Sequence, residues 1–151
     1  MIKTREAYPS ISNPPSTTAS SDRTRSLTAG ILYVLTFVSI PTLFLYNPVK
    51  GANYIIATGS DNRAIIGGIL EIIVALAGIG TAVVLFPILK KQDESAALGL
   101  VAARVLESAT IFVGVAFLLS IVTLRKSGLG PDALVAGRAL VALYNRIFLL
   151  G

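Results

Sequence analysis

Apolar residues in this chain fall in four long blocks, at positions 27–46, 64–89, 96–124 and 133–151, parted by short polar interruptions. The blocks show neither the two-residue alternation of a half-buried strand nor the narrow apolar stripe of a soluble surface helix. They are apolar on all sides, as a helix surrounded by lipid or protein must be. A twenty-residue helix rises ~30 Å, the thickness of a hydrocarbon core. The pattern predicts an all-α fold, a multi-pass transmembrane helical bundle of about four spans.

Breaks within the pattern refine it. The first block, LTAGILYVLTFVSIPTLFLY, holds Pro41 in its last third, where the missing N–H and the ring should kink the helix. Asn47-Pro48 then ends it, and Tyr33 and Tyr46 lie nearer its ends, where amphipathic rings favour an interface. The loop 47–63 contains a short apolar patch, YIIA, too brief to span and suited to the headgroup level. Pro87 sits in the last turn of the second block, which Lys90-Lys91 close, and the polar turn KKQDES leads into the third. Arg125-Lys126 cap the third block, and SGLGPD opens the fourth. Ahead of all four, residues 1–26 are rich in Ser, Thr and Pro, with little to bury against the cost of ordering, and read as a disordered tail. The apolar block after it is too long for a signal peptide and lacks a small-x-small cleavage site.

Composition agrees with the pattern. Hydrophobic residues make up 54% of the chain and charged residues 14%, with a mean hydropathy of +0.76; soluble domains carry roughly 25% charged residues. The chain has no Cys, His or Trp, which removes thiol and imidazole catalysis, disulfides and the usual zinc, copper or haem ligands. No cofactor is expected. The net charge of +5 comes from residues scattered through loops without aromatic interleaving, which argues against nucleic acid and for charges that orient spans in a bilayer. Lys3, Arg5, Arg23, Arg25, Lys90 and Lys91 fall on one side of the predicted topology, against Lys50, Arg63, Arg125 and Lys126 on the other. That excess favours a cytoplasmic N-terminus.

From position 64 onward a set of words occurs in order: Glu71 between aliphatic residues, Phe86-Pro87 at a span exit, the basic polar turn 90–95, Ala97-Leu98-Gly99, and the pair Arg104/Glu107. In these elements, and in the closing FLLG, the chain resembles a family of bacterial multi-pass membrane proteins, domain of unknown function 4386. The resemblance covers residues from about 24 to 151. It implies a helical membrane domain in a bacterial inner membrane. Family members continue past the FLLG motif into Pro-Gly and further spans, so it also implies a truncated chain. It assigns no catalytic or binding residue.

Chemistry is therefore sought in the ionisable residues within the blocks: Glu71, Arg104, Glu107, Arg138 and Arg146. A charge at mid-span costs roughly 2.5–3.5 kcal/mol on insertion scales, so such groups face protein or water. Glu71 shares a helical face with Ala75, Gly78 and Ala82, a seam where helices can approach closely; alternatively the span starts after Glu71 and leaves it in the headgroup zone. Arg104 and Glu107, at i and i+3, suit an intrahelical ion pair; alternatively Arg104 snorkels to the cytoplasmic headgroups with Glu107 at that boundary. On regular helices Glu71 stands ~28 Å above the turn 90–95, Arg104 ~14 Å and Glu107 ~18 Å, too far apart in height for Glu71 to meet Arg104. Counted from the outer loops, Arg138 lies ~9 Å and Glu71 ~12 Å down, while Arg146 lies ~21 Å and Glu107 ~25 Å down. Two buried ladders are expected: Glu71 with Arg138, and Glu107 with Arg104 and Arg146.

Three function classes follow. The first is a non-enzymatic bundle, a scaffold or subunit whose charges fix helix register, with the lipid bilayer and a homo- or hetero-oligomer through small-residue faces as partners. The second is a proton- or cation-coupled small-solute transporter or channel that uses Glu71 and Glu107. The third, an intramembrane enzyme, lacks any nucleophile–base or metal set to propose. A water-accessible cavity reaching Glu71 or Glu107 would favour the second class, and closed ion pairs the first.

Overall fold

The computed structural model describes residues 17–37, 39–51, 53–57 and 60–150, and these are helical apart from turns, without strands. Five α-helices follow one another: α1 (Thr17–Phe37), α2 (Ser39–Tyr46), α3 (Asn62–Leu89), α4 (Glu94–Lys126) and α5 (Pro131–Phe148), with a 3₁₀ turn at Asn47–Lys50. Part of the segment expected as disordered tail, from Thr17 on, is helix; positions 1–16 lie outside the described residues. Thr24 and Thr28 each return their hydroxyl to the carbonyl four residues back, and Asp22 bridges Arg25 and Lys91. Those contacts tie this polar start to the turn after α3 in place of an apolar face.

The first predicted span is described as two helical stretches, α1 and α2, on either side of position 38, which lies outside the described residues. Pro41 lies within α2, so the expected kink at this proline concerns a stretch adjoining position 38, outside the described residues. Pro87 also lies inside the last turn of α3, and that helix runs on to Leu89. Asp93 starts α4 by accepting from the backbone N–H of Ser95 and Ala96, and Arg125 and Lys126 close it at the negative end of its dipole. Gly128 and Gly130 take positive φ in the link to α5, and Pro131 supplies the first helical residue.

The helices pack antiparallel in chain order, α3 at the centre between α1/α2 and α4, with α5 along α4. The expected small-residue seam is buried: Ala75, Gly78 and Ala82 lie inside, and Ser108 of α4 donates its hydroxyl to the Ala75 carbonyl at 2.9 Å. The close approach that these residues permit is thus used within the chain. A core of Tyr46, Val49, Ala64, Leu118, Ile121, Val122 and Tyr144 fills the end of the bundle nearest the loop 47–61. Tyr54 and Ile55 of the YIIA patch pack onto it, Ile55 against Gly137, while Ile56 of the same patch is exposed.

Much of the exterior is apolar, including Leu27, Ile31, Ile66, Ile69, Ile73, Leu76, Val105 and Leu106. Among the described residues three stretches are long and apolar enough to cross a membrane, Ser20–Lys50, Asn62–Leu89 and Glu94–Lys126. The fourth predicted span does not reach that standard: α5 has 18 residues and includes Arg138, Asn145 and Arg146.

Candidate functional site

α2 brings Thr42 and Tyr46 to one face, a single turn apart, against α3. Gly67 makes room for them: a Cβ there would lie 2.9 Å from Cδ1 of Tyr46 and 3.3 Å from Cβ of Leu45. One turn further along α3 stands Glu71. Its Oε1 accepts hydrogen bonds from the Thr42 hydroxyl at 3.1 Å and from the Tyr46 phenol at 3.0 Å. Tyr144 of α5 in turn donates to the Tyr46 oxygen at 3.1 Å. Glu71, Thr42, Tyr46 and Tyr144 are all buried. The order Tyr144, Tyr46, Glu71 is thus a line of donors ending on a carboxylate, drawn from three helices. Hydroxyl hydrogen bonds to a buried carboxylate offset part of its loss of water.

A cation does stand nearby. Lys50, on the 3₁₀ turn after α2, holds its ammonium 4.2 Å from the centre of the Tyr144 ring, 5.5 Å from Tyr46 and 5.7 Å from Phe148. Tyr46 and Tyr144 meet edge to face, and Tyr144 and Phe148 stack at 6.1 Å. The three rings form a cage that offers its negative faces to the ammonium.

A cavity of about 260 Å³ lies beside this network. Glu71, Glu107, Thr110 and Tyr144 supply its polar groups, and Leu43, Ile111, Gly114, Ile147 and Phe148 the remainder. Gly114 leaves space for α5: a Cβ there would sit 3.4 Å from the Tyr144 ring. Glu107 also borders a second cavity of about 220 Å³, with Thr36, Ala75, Gly78 and Ser108.

The chain belongs to the family of domain of unknown function 4386. Its family model, DUF4386, matches residues 28–151, the whole of the bundle from the middle of α1 onward. No curated protein and no solved structure matches the chain.

In this DUF4386 chain the five ionisable residues expected to form ladders are only partly brought together. Arg104 Nη1 meets Glu107 Oε2 at 2.6 Å, the intrahelical pair, with both side chains about a third exposed. Glu71 and Glu107 share the cavity. The Glu71–Arg138 ladder does not form: Arg138 is exposed and makes no ion pair among the described residues, bordering instead a smaller cavity with Lys50 and Gly51. Height and rotation both explain this. Gly114 of α4 meets Tyr144 while its neighbour Val115 meets Gly68, so Tyr144 is the residue of α5 level with the Glu71 region. Arg138 therefore stands ~9 Å closer to the loop end. It also follows the buried Gly137, one helical step of about 100° away from the packed face. Arg146 is likewise exposed and unpaired among the described residues, on the side of α5 away from Tyr144 and Ile147.

Thr42, Tyr144 and Lys50 were not among the expected site residues, and Tyr46, expected at an interface, is fully buried. The available signal was the i, i+4 spacing of hydroxyls on an apolar helix, facing another helix that carries a carboxylate. A second cluster also escaped. At the loop end Arg125 Nη1 lies 2.6 Å from Asp61 Oδ1, the same oxygen accepts from the Tyr54 phenol at 2.6 Å, and the guanidinium lies 4.7 Å from the Tyr54 ring centre. Burial, reinforced by the bond to Asp61, pushes the Tyr54 phenol above its ordinary pKa. Arg125 is thus a clasp between the first loop and the end of α4 as well as a helix-closing charge. Among the described residues no three His, Cys, Asp or Glu side chains gather as a metal site would need.

Proposed function

We propose that this domain is a non-enzymatic bundle of a cell membrane, its N-terminus cytoplasmic, in which buried polar contacts set the register of the helices and which serves as a scaffold or subunit. One observation carries the reading: the Glu71 carboxylate is enclosed where α2, α3 and α5 meet and takes hydroxyl hydrogen bonds from α2, to which α5 is joined by Tyr144. A polar cluster of this kind is satisfied in one arrangement of helices and leaves a buried charge short of donors in any other. The non-enzymatic part rests on the sequence, which holds neither His nor Cys. The apolar exterior supports lipid as the surrounding partner. The test is the triple change Thr42→Val, Tyr46→Phe and Tyr144→Phe: the register reading expects loss of a single packed state, read as broadened side-chain NMR signals in micelles. Sharp native-like spectra from the triple variant would refute it.

A second reading is favoured by the cavity that Glu71 and Glu107 share: a proton- or cation-coupled passage for a small solute. With no native cysteine, Thr110→Cys gives a single reporter in the cavity wall. Reaction of that thiol in sealed vesicles with a membrane-impermeant reagent supports passage, and protection opposes it.

A further inference from the structure

The polar lining of the 260 Å³ cavity is of one sign. It consists of two carboxylates and two hydroxyl-bearing residues, while the neighbouring cations Arg104 and Lys50 are not part of the wall. Glu107 gives Oε2 to Arg104, and its Oε1 takes no hydrogen bond among the described residues. The stacked rings of Tyr144 and Phe148 border the same cavity, and the Lys50 ammonium already rests against both. That ammonium takes up the cation-binding faces of the rings, so a ligand meets them as apolar wall and meets the carboxylates as its charged partners.

We propose that this cavity is a binding site for a small organic ammonium ion with an apolar body. Glu107 and Glu71 supply the counter-charge, the Thr110 hydroxyl an acceptor, and Leu43, Ile111, Ile147 and the edges of the Tyr144 and Phe148 rings the apolar contact. Other ligand classes fit less well. An anion would meet two carboxylates with no cation in the wall. A hard divalent ion asks for six or so oxygen ligands, against a lining that is mostly apolar. A neutral apolar molecule would cover Glu107 Oε1 and give it no partner. The inference deepens the solute-handling reading and shares its cavity, but binding is measured without a gradient, so an absence of flux bears on passage alone.

The experiment titrates the full chain in detergent micelles with 2-phenylethylammonium, 3-phenylpropan-1-ol and phenylacetate, by calorimetry. The ammonium ion is expected to bind saturably at one per chain, at least about tenfold more tightly than the alcohol, since a charge-assisted contact contributes a tenfold factor or more. Phenylacetate is expected not to bind. Glu107→Gln should weaken the ammonium about tenfold, and Arg104→Gln should strengthen it by releasing the second carboxylate oxygen. Ile147→Phe, which fills the cavity without touching a charge, should abolish binding with helix content unchanged by circular dichroism. Equal affinity for alcohol and ammonium, or undiminished binding in Glu107→Gln or Ile147→Phe, would overturn the proposal.

Discussion

Tyr46→Phe is the most informative single change, because one oxygen carries two of the contacts described. Its phenol donates to Glu71 and accepts from Tyr144, and the side chain has no exposed surface. Removing the oxygen takes a donor from a buried carboxylate, worth about 1.5–3 kcal/mol for a bond to a charged group. It also strands the Tyr144 hydroxyl, for which about 0.6 kcal/mol is the average measured between membrane helices. The ring remains, so packing against Gly67 and Tyr144 is kept and no cavity term enters. The expected loss is roughly 2–4 kcal/mol. Tyr144→Phe deletes the outer bond alone and should cost about 1 kcal/mol or less. Equilibrium unfolding in mixed micelles, followed by circular dichroism, gives both values on one scale. A Tyr46→Phe loss below that of Tyr144→Phe would show that the chain of donors does not end on Glu71.

Gly67→Ala places a methyl against the Tyr46 ring and the Leu45 Cβ, and should destabilise by about 1–3 kcal/mol in the same assay. Asp61→Ala and Arg125→Ala, each at a side chain about nine-tenths buried, should cost about 3 kcal/mol singly, with the double change at least about 1 kcal/mol below their sum. Additive losses would mean the clasp does not couple loop and helix. Because Tyr54 keeps its proton to a higher pH when folded than when unfolded, its contribution is intact below its ordinary pKa of about 10 and is lost as pH rises through the folded value. Stability measured from pH 8 to 11 should therefore fall less steeply in Tyr54→Phe than in the parent chain.

The long helices and their order were legible in the sequence because block length and the polar turns between blocks are local properties. The Arg104–Glu107 pair was legible for the same reason, its geometry being internal to one helix. The partners of Glu71 were not. Height was counted for each helix from its own loop, which leaves out how far α5 is shifted along α4 and which way it turns. An error of about 9 Å replaced Tyr144 by Arg138. The search for partners also looked for opposite charge, whereas the buried carboxylate is served by hydroxyls, residue types too common in apolar helices to stand out. The family pattern was readable from five ordered elements, Glu71 and the Arg104/Glu107 pair among them.

The contacts on Glu71 differ widely in how far along the chain they reach. Thr42 and Tyr46 precede it by 29 and 25 positions, while the bond between Tyr46 and Tyr144 closes across 98. During synthesis the carboxylate can be covered as soon as α2 and α3 pair, long before α5 exists. Tyr144 then finds a ready oxygen, presented by a half-built assembly that already shields its charge. The hydroxyls of α2 thus act as an early escort for Glu71, and α5 arrives as the latch.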